Sequence, residues 1–324
     1  MFKNTVRAFG VIAAALICST AVAASFPDRA VTIVVPFPSG GTTDVLARHV
    51  GRALSDKWNQ PVVIDNKGGA SGTIGSAGVA RSEPDGYTLL ITATHHVINP
   101  TLLKETIPYN TKESFTNVAM LATVPNVLVV NSKFEAKTVQ ELIDAAKANP
   151  GTINFGSAGI GGANHLSGEL FAHMAEIDLV HIPYRGAAPS LNDLLAGQIP
   201  MMFDSVPGVI SHIQAGSLRA LGVTSSNRVP QLPDVPSIDE SGVKGFEAIA
   251  MFGLYGPKSL PADVLEKINT DVVTVLQSAD IKEKFAALGA TPGTMTASEF
   301  DQFVNSEIDK WAQVIEAANI KLPN

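Results

Sequence analysis

Apolar and polar positions alternate along this chain so as to mark short β-branched runs and longer amphipathic stretches. The first clear run, Val31, Thr32, Ile33, Val34 and Val35, fits a strand buried on both faces. Pro36 and Pro38 end it, because neither nitrogen can donate to a ladder. Ser39, Gly40 and Gly41 then make a tight bend, and Thr42, Thr43 and Asp44 are N-cap types. The helix predicted after them carries Val45, Leu46, Val50, Ala53 and Leu54 on its apolar face. Free backbone N–H groups converge where a glycine turn meets a helix start, and that point attracts an anion.

Pro61 to Asp65 reads as a short strand, 66–75 as a second glycine-rich loop, 76–81 as a short helix and 87–92 as the next buried strand. Thr94, His95 and His96 fall just beyond that strand, in a loop that Asn99-Pro100 breaks. Two apolar runs, 118–121 and 127–130, are separated by Pro125-Asn126, which marks a crossover between domains. The next hundred residues alternate helix and strand. A capping box at Thr138 and Glu141 opens one helix, Ile153, Asn154 and Phe155 form a strand, and 156–162 (GSAGIGG) is a second anion-type turn. The helix after it buries Leu166, Leu170, Phe171 and Met174, and strands follow over 179–184, 201–203 and 218–224. Such alternation indicates a parallel sheet with helices on both faces. Helices over 261–276, 279–288 and 297–317 cover the first sheet. The expected fold class is α/β, with two domains joined by two crossovers. Residues 24–124 and 226–324 form one domain and 125–225 the other. The cleft between them faces the C-terminal ends of both sheets, where ligands bind in open α/β folds.

Residues 1–23 change this picture, because they read as a signal peptide. Lys3 and Arg7 form a basic n-region, 8–17 an apolar h-region too short to span a membrane, and Ala21-Val22-Ala23 a cleavage pattern. Cleavage after Ala23 or Ala24 places the mature chain in the periplasm and removes Cys18, the single cysteine, so no disulfide or thiolate metal site is expected. Removing the two basic groups moves the formal charge from −7 to 21 − 30 = −9, which argues against nucleic acid. Gly159-x-Gly161 has the look of a dinucleotide fingerprint, but Asn164 stands at the third glycine position. No G-x-S-x-G occurs, which leaves Ser157 with His165 as the one nucleophile–base pair to weigh. His95 and His96, being adjacent, diverge rather than chelate. His165 either orients the helix start or contacts a ligand. Arg185 either reaches a distal carboxylate or forms a solvated or inter-domain ion pair.

The stretches FPDRAVTIVVPFPSGGTTD, PDGYTLL, INFGSAGIGGANHLSGELF, IPYRG and MMFDS, in this order, resemble the Bug family of periplasmic receptors of tripartite tricarboxylate transporters. The resemblance covers nearly the whole mature chain. It implies a periplasmic-binding-protein (flytrap) fold that closes on a small carboxylic acid, held largely by main-chain N–H groups and ordered waters. It implies ligand contact at Ser39, Gly40, Thr42, Asp44, Ser157, Gly159, Gly161, Ala163 and His165, with Asp204 at the pocket wall. Phe37, Gly41, Thr94, His95, Gly162, Tyr184 and Arg185 complete the candidate site. Ser39 stands where the family commonly has proline. The implied protein is a monomeric, non-enzymatic receptor that captures a di- or aromatic carboxylic acid and hands it to membrane permease subunits, with no cofactor, metal or nucleic acid. A carboxylate sensor acting on a signalling partner and a periplasmic hydrolase are the alternatives.

Overall fold

The computed structural model describes residues 26–184, 186–317 and 320; the expected signal peptide, its cleavage site and Arg185 lie outside the described residues. β1 (Val31–Val35) leads through the first glycine turn into α1 (Thr42–Trp58). Then come β2 (Val62–Asn66), α2 (Thr73–Ala80), β3 (Thr88–Ala93), α3 (His95–Leu102) and the single-turn α4 (Thr111–Ser114). The long β4 (Phe115–Asn131) follows. Helix and strand next alternate through α5 (Val139–Ala148), β5 (Ile153–Ser157), α6 (Ala163–Ala175), β6 (Leu179–Pro183), α7 (Ala187–Ala196), β7 (Met201–Ser205), α8 (Val206–Gln214) and β8 (Leu218–Val223). The chain ends in β9 (Ile249–Pro257), α9 (Ala262–Leu276), α10 (Ala279–Ala287), the short β10 (Thr291–Pro292) and α11 (Ala297–Ala317).

The strands form one sheet in the order β2-β1-β3-β9-β4-β7-β5-β6, with β8 and β10 also paired to β4. β1 lies parallel between β2 and β3, and β5 parallel between β6 and β7. β9 and β4 are antiparallel to their neighbours, so each half is parallel except where the chain passes between halves. Two strands were expected on either side of Pro125-Asn126; the structure has one 17-residue strand that changes partners there. Pro125 is the last residue facing β9, and Asn126 the first facing β7. Proline lacks a donor, and the seam between two ladders tolerates that loss.

One core lies between β1, β3, β9 and helices α1 and α9, with Ile33, Leu46, Leu54, Leu89 and Phe285 fully buried. Trp58 of α1 donates to Asp271 of α9 at 2.6 Å, tying the C-terminal helices to the first half as the apolar pattern requires. Asn99 and Pro100 do not break the chain but sit inside α3. Pro100 forfeits one helical bond, and burial of Val97, Ile98 and Leu102 on the same helix offsets it. His95 and His96 therefore open a helix rather than occupy a loop. No helix among the described residues is long and apolar enough to cross a membrane.

Candidate functional site

The two glycine turns use one local design. Gly40 has φ +90 and Gly161 φ +79, left-handed values that favour glycine. The next residue in each, Gly41 or Gly162, is extended and caps the helix with no side-chain bond. Thr42 is thus the first helical residue rather than a cap. The capping role passes to the third helical residue, four positions beyond the left-handed glycine. Gly40 N–H donates to Asp44 Oδ2 at 2.9 Å, and Gly161 N–H donates to His165 Nδ1 at 3.3 Å. Regular helical bonds begin at Val45 N–H to Gly41 C=O (3.0 Å) and Leu166 N–H to Gly162 C=O (3.1 Å). The N–H groups between, on Thr42 and Thr43 and on Ala163 and Asn164, are donors of a helix start with no hydrogen-bond partner among the described residues.

Asp44 and Ser157 are braces of these turns. Asp44 accepts from Arg48 Nε at 2.9 Å and, on its other oxygen, from Asn66 Nδ2 at 3.0 Å. Burial pushes its pKa up, but the Arg48, Gly40 and Asn66 bonds outweigh that and hold it below the usual carboxylate range. Ser157 is fully buried and lies 3.1 Å from both the N–H and the C=O of Gly159. Its nearest imidazole is His181, with Nε2 at 2.6 Å, not His165. Buried in this way, the hydroxyl shapes the turn.

The halves meet at His95. Its ring centroid lies 4.9 Å from that of Phe37, beside the first turn. A Cβ placed on Gly162 of the second turn lies 3.3 Å from His95 Cε1, so a larger residue there requires the His95 ring to shift by a few tenths of an ångström. Ser71 Oγ donates across the same gap to Ile160 C=O at 3.4 Å. Burial and the neighbouring His165 push the His95 pKa down to about 4, so this wall is uncharged at neutral pH. His96 does diverge from it, stacking 3.9 Å from Tyr255, and burial pushes it down to about 3. Thr94 turns away as well: its hydroxyl accepts the Met251 N–H at 3.0 Å.

The far wall of the second turn holds Tyr184 and Asp204. Tyr184 donates to Asp193 at 2.7 Å and is pushed up to about 12 by burial and by that carboxylate. Asp204 is reached through Asn164, which sequence reasoning noted only as a missing glycine. Asn164 Nδ2 donates to Asp204 Oδ1 and to Phe203 C=O, both at 3.1 Å. Burial pushes Asp204 up to about 6, against the lowering pull of bonds from the Ser205 N–H and Asn164. Ser39, Gly40 and Gly41 are exposed on the rim.

His165, Glu169 and His181 bring three possible metal-ligand atoms within 4.8 Å of one another. No sequence spacing announced this, since His181 sits on β6. His165 Nδ1 takes the Gly161 N–H, so the neutral ring carries its proton on Nε2, 3.5 Å from Glu169 Oε1. A metal at Nε2 needs a lone pair there and a proton on Nδ1, opposing the Gly161 donor. The cluster therefore fits a hydrogen-bonded chain better than a coordination set.

The sequence profile of the tripartite tricarboxylate transporter family receptors matches residues 46–320. Protein BugT of Bordetella pertussis is 38% identical over 312 residues, 96% of each chain. An R. palustris protein solved with adipate superposes with a TM-score of 0.85 at 36% identity, covering 91% of this chain and 99% of that one. MatC from Rhodopseudomonas palustris, solved with bound malate, gives 0.81 at 31% identity, over 90% of this chain and 100% of that one. Matched over most of its length in both sequence and fold, the chain belongs to the Bug group of tripartite tricarboxylate transporter family receptors.

Proposed function

We propose that this protein is a periplasmic solute-binding receptor that captures a small carboxylic acid, di- or aromatic, between its two halves and delivers it to a membrane tripartite transporter. The observation that carries this reading is the pair of braced glycine turns, each leading into helix N–H donors, with His95 lying against Phe37 before the first and against Gly162 of the second. Helix N-termini favour anions through their unpaired N–H groups and dipole. The adipate and malate bound by its structural relatives support a carboxylate of that size. In this reading residues 24–124 with 226–324 make one lobe and 125–225 the other, and the lobes close on the ligand. The N–H groups after Gly41 and Gly162 take its oxygens, while Asp44, Ser157 and His165 hold the turns. Binding occurs without turnover or cofactor, to a monomer exported by its signal peptide.

Thermal shift across mono-, di- and tricarboxylic and aromatic acids tests this. An acid at 100 times its dissociation constant raises stability by about 2.7 kcal/mol. A panel in which no acid raises the melting temperature, or one in which an acid is chemically converted, overturns the reading.

A further inference from the structure

We propose that His181 is the positioning residue of the second anion turn: it sets Ser157 and His165, and through them the donors that receive the carboxylate, without touching the ligand. The inference rests on the receptor reading for its effect on binding, but its structural part stands alone. His181 lies on β6, opposite Phe155 in the parallel register. Its ring is sandwiched between Phe155, at 4.9 Å and 29°, and His165, at 4.0 Å and 33°. Its Nε2 is 2.6 Å from Ser157 Oγ.

Proton counting at Ser157 gives His181 the one role that keeps all three contacts as hydrogen bonds. A hydroxyl has one proton and two lone pairs. Three groups surround this one: the Gly159 C=O at 3.1 Å, the Gly159 N–H at 3.1 Å and His181 Nε2. All three bonds form together only if the hydroxyl donates to the Gly159 carbonyl and accepts from both the Gly159 N–H and a protonated Nε2. His181 is then a neutral Nε2–H donor, in keeping with burial and the neighbouring His165, which push its pKa down to about 3. The turn needs this support. Gly159 at φ +132 and Gly161 at φ +79 are two left-handed residues within one short loop, and glycine there is free to leave that conformation. Ser157 holds the first and His165 the second, and one imidazole touches both.

Two measurements test the proposal on wild type, His181→Gln, His181→Leu, Ser157→Ala and the His181→Leu/Ser157→Ala double variant. The first is amide hydrogen exchange at Gly159 and Gly161 in the ligand-free protein; the second is calorimetry with adipate and with malate. His181→Leu is expected to speed Gly159 exchange and to weaken acid binding by about tenfold or more, equivalent to about 1.4 kcal/mol. His181→Gln, whose amide N–H can still reach Ser157, is expected to stay within about threefold of wild type, a factor well short of the tenfold that 1.4 kcal/mol represents. The double variant is expected to lose less than the product of the two single losses, because both substitutions remove the shared Ser157–His181 bond. Wild-type exchange and affinity in His181→Leu, a glutamine variant no better than leucine, or losses that multiply in the double variant each overturn the proposal. If the leucine variant does not fold, the comparison of Ser157→Ala (impaired) with His181→Gln (not impaired) decides, and the reverse order overturns it. If wild type takes up neither acid, the choice of these acids as ligands fails, and the exchange data alone decide the role of His181.

Discussion

Replacing Gly161 with alanine separates closure of the cleft from folding of the chain. At φ +79 an added Cβ costs about 1–2 kcal/mol of stability in the left-handed region. The same Cβ lies 3.3 Å from Asn99 Oδ1 and 3.3 Å from Leu102 Cδ2, both on α3 of the opposite half. Those neighbours must give by a few tenths of an ångström to let the halves meet, and overpacking of this kind costs about 1 kcal/mol at its low end. In the proposed closure this second cost falls on the closed state and so on affinity, where about 1–2 kcal/mol corresponds to roughly 5- to 30-fold. Gly216 supplies the control: at φ +73, with nothing within 4 Å of an added Cβ, Gly216→Ala pays the backbone strain alone. Both variants are expected to melt lower by similar amounts. In calorimetry with the tightest acid of the panel, only Gly161→Ala loses affinity. Equal affinities for the two variants refute the claim that the second turn docks on α3 when the ligand is held.

The acid limb of stability carries two further predictions. Asp204 has its pKa raised by burial to about 6, so its contribution is fully present below its ordinary value near 3.8 and is lost as pH rises through 6. Asp204→Asn is expected to stabilise the protein at pH 7 by up to about 3 kcal/mol and to flatten the pH 4–6 slope of the melting temperature, and an unchanged slope counts against it. His96 has the opposite sign. Pushed from 6.5 to about 3 by burial, it supports the fold above pH 6.5 and loses that support as pH falls toward 3. Both its ring nitrogens are buried without a hydrogen-bond partner among the described residues. His96→Phe should therefore melt no lower than wild type at pH 7 and clearly higher at pH 4.5, and a variant as acid-labile as wild type contradicts this.

What was legible in the sequence is what local chemistry dictates. The β-branched run, the prolines and the paired glycines of the first turn specified strand, stop and helix start in order. The capping box was equally plain: Thr138 Oγ1 accepts the Glu141 N–H at 3.1 Å. What escaped depends on register between distant strands. The Ser157–His181 contact joins residues 24 apart through the parallel pairing of β5 and β6, and nothing in either segment alone sets that pairing. Asn164 was visible as a departure from a glycine pattern, yet its partner Asp204 lies 40 residues on. The turn glycines were read as anion donors, but Gly40 and Gly161 give their N–H groups to Asp44 and His165. In the proposed reading the ligand-facing donors come after them. That shift of two to three residues decides which substitution tests binding and which only loosens a loop.

In the proposed function the helix starts of both glycine turns share one carboxylate ligand. A crystal structure of the protein with the tightest acid of the panel tests it most directly. Ligand oxygens are expected about 2.7–3.2 Å from main-chain nitrogens of both turns, at 41–43 and at 162–164, with His95 alongside. An acid held at only one turn, or by side-chain cations with both helix starts facing solvent, contradicts it.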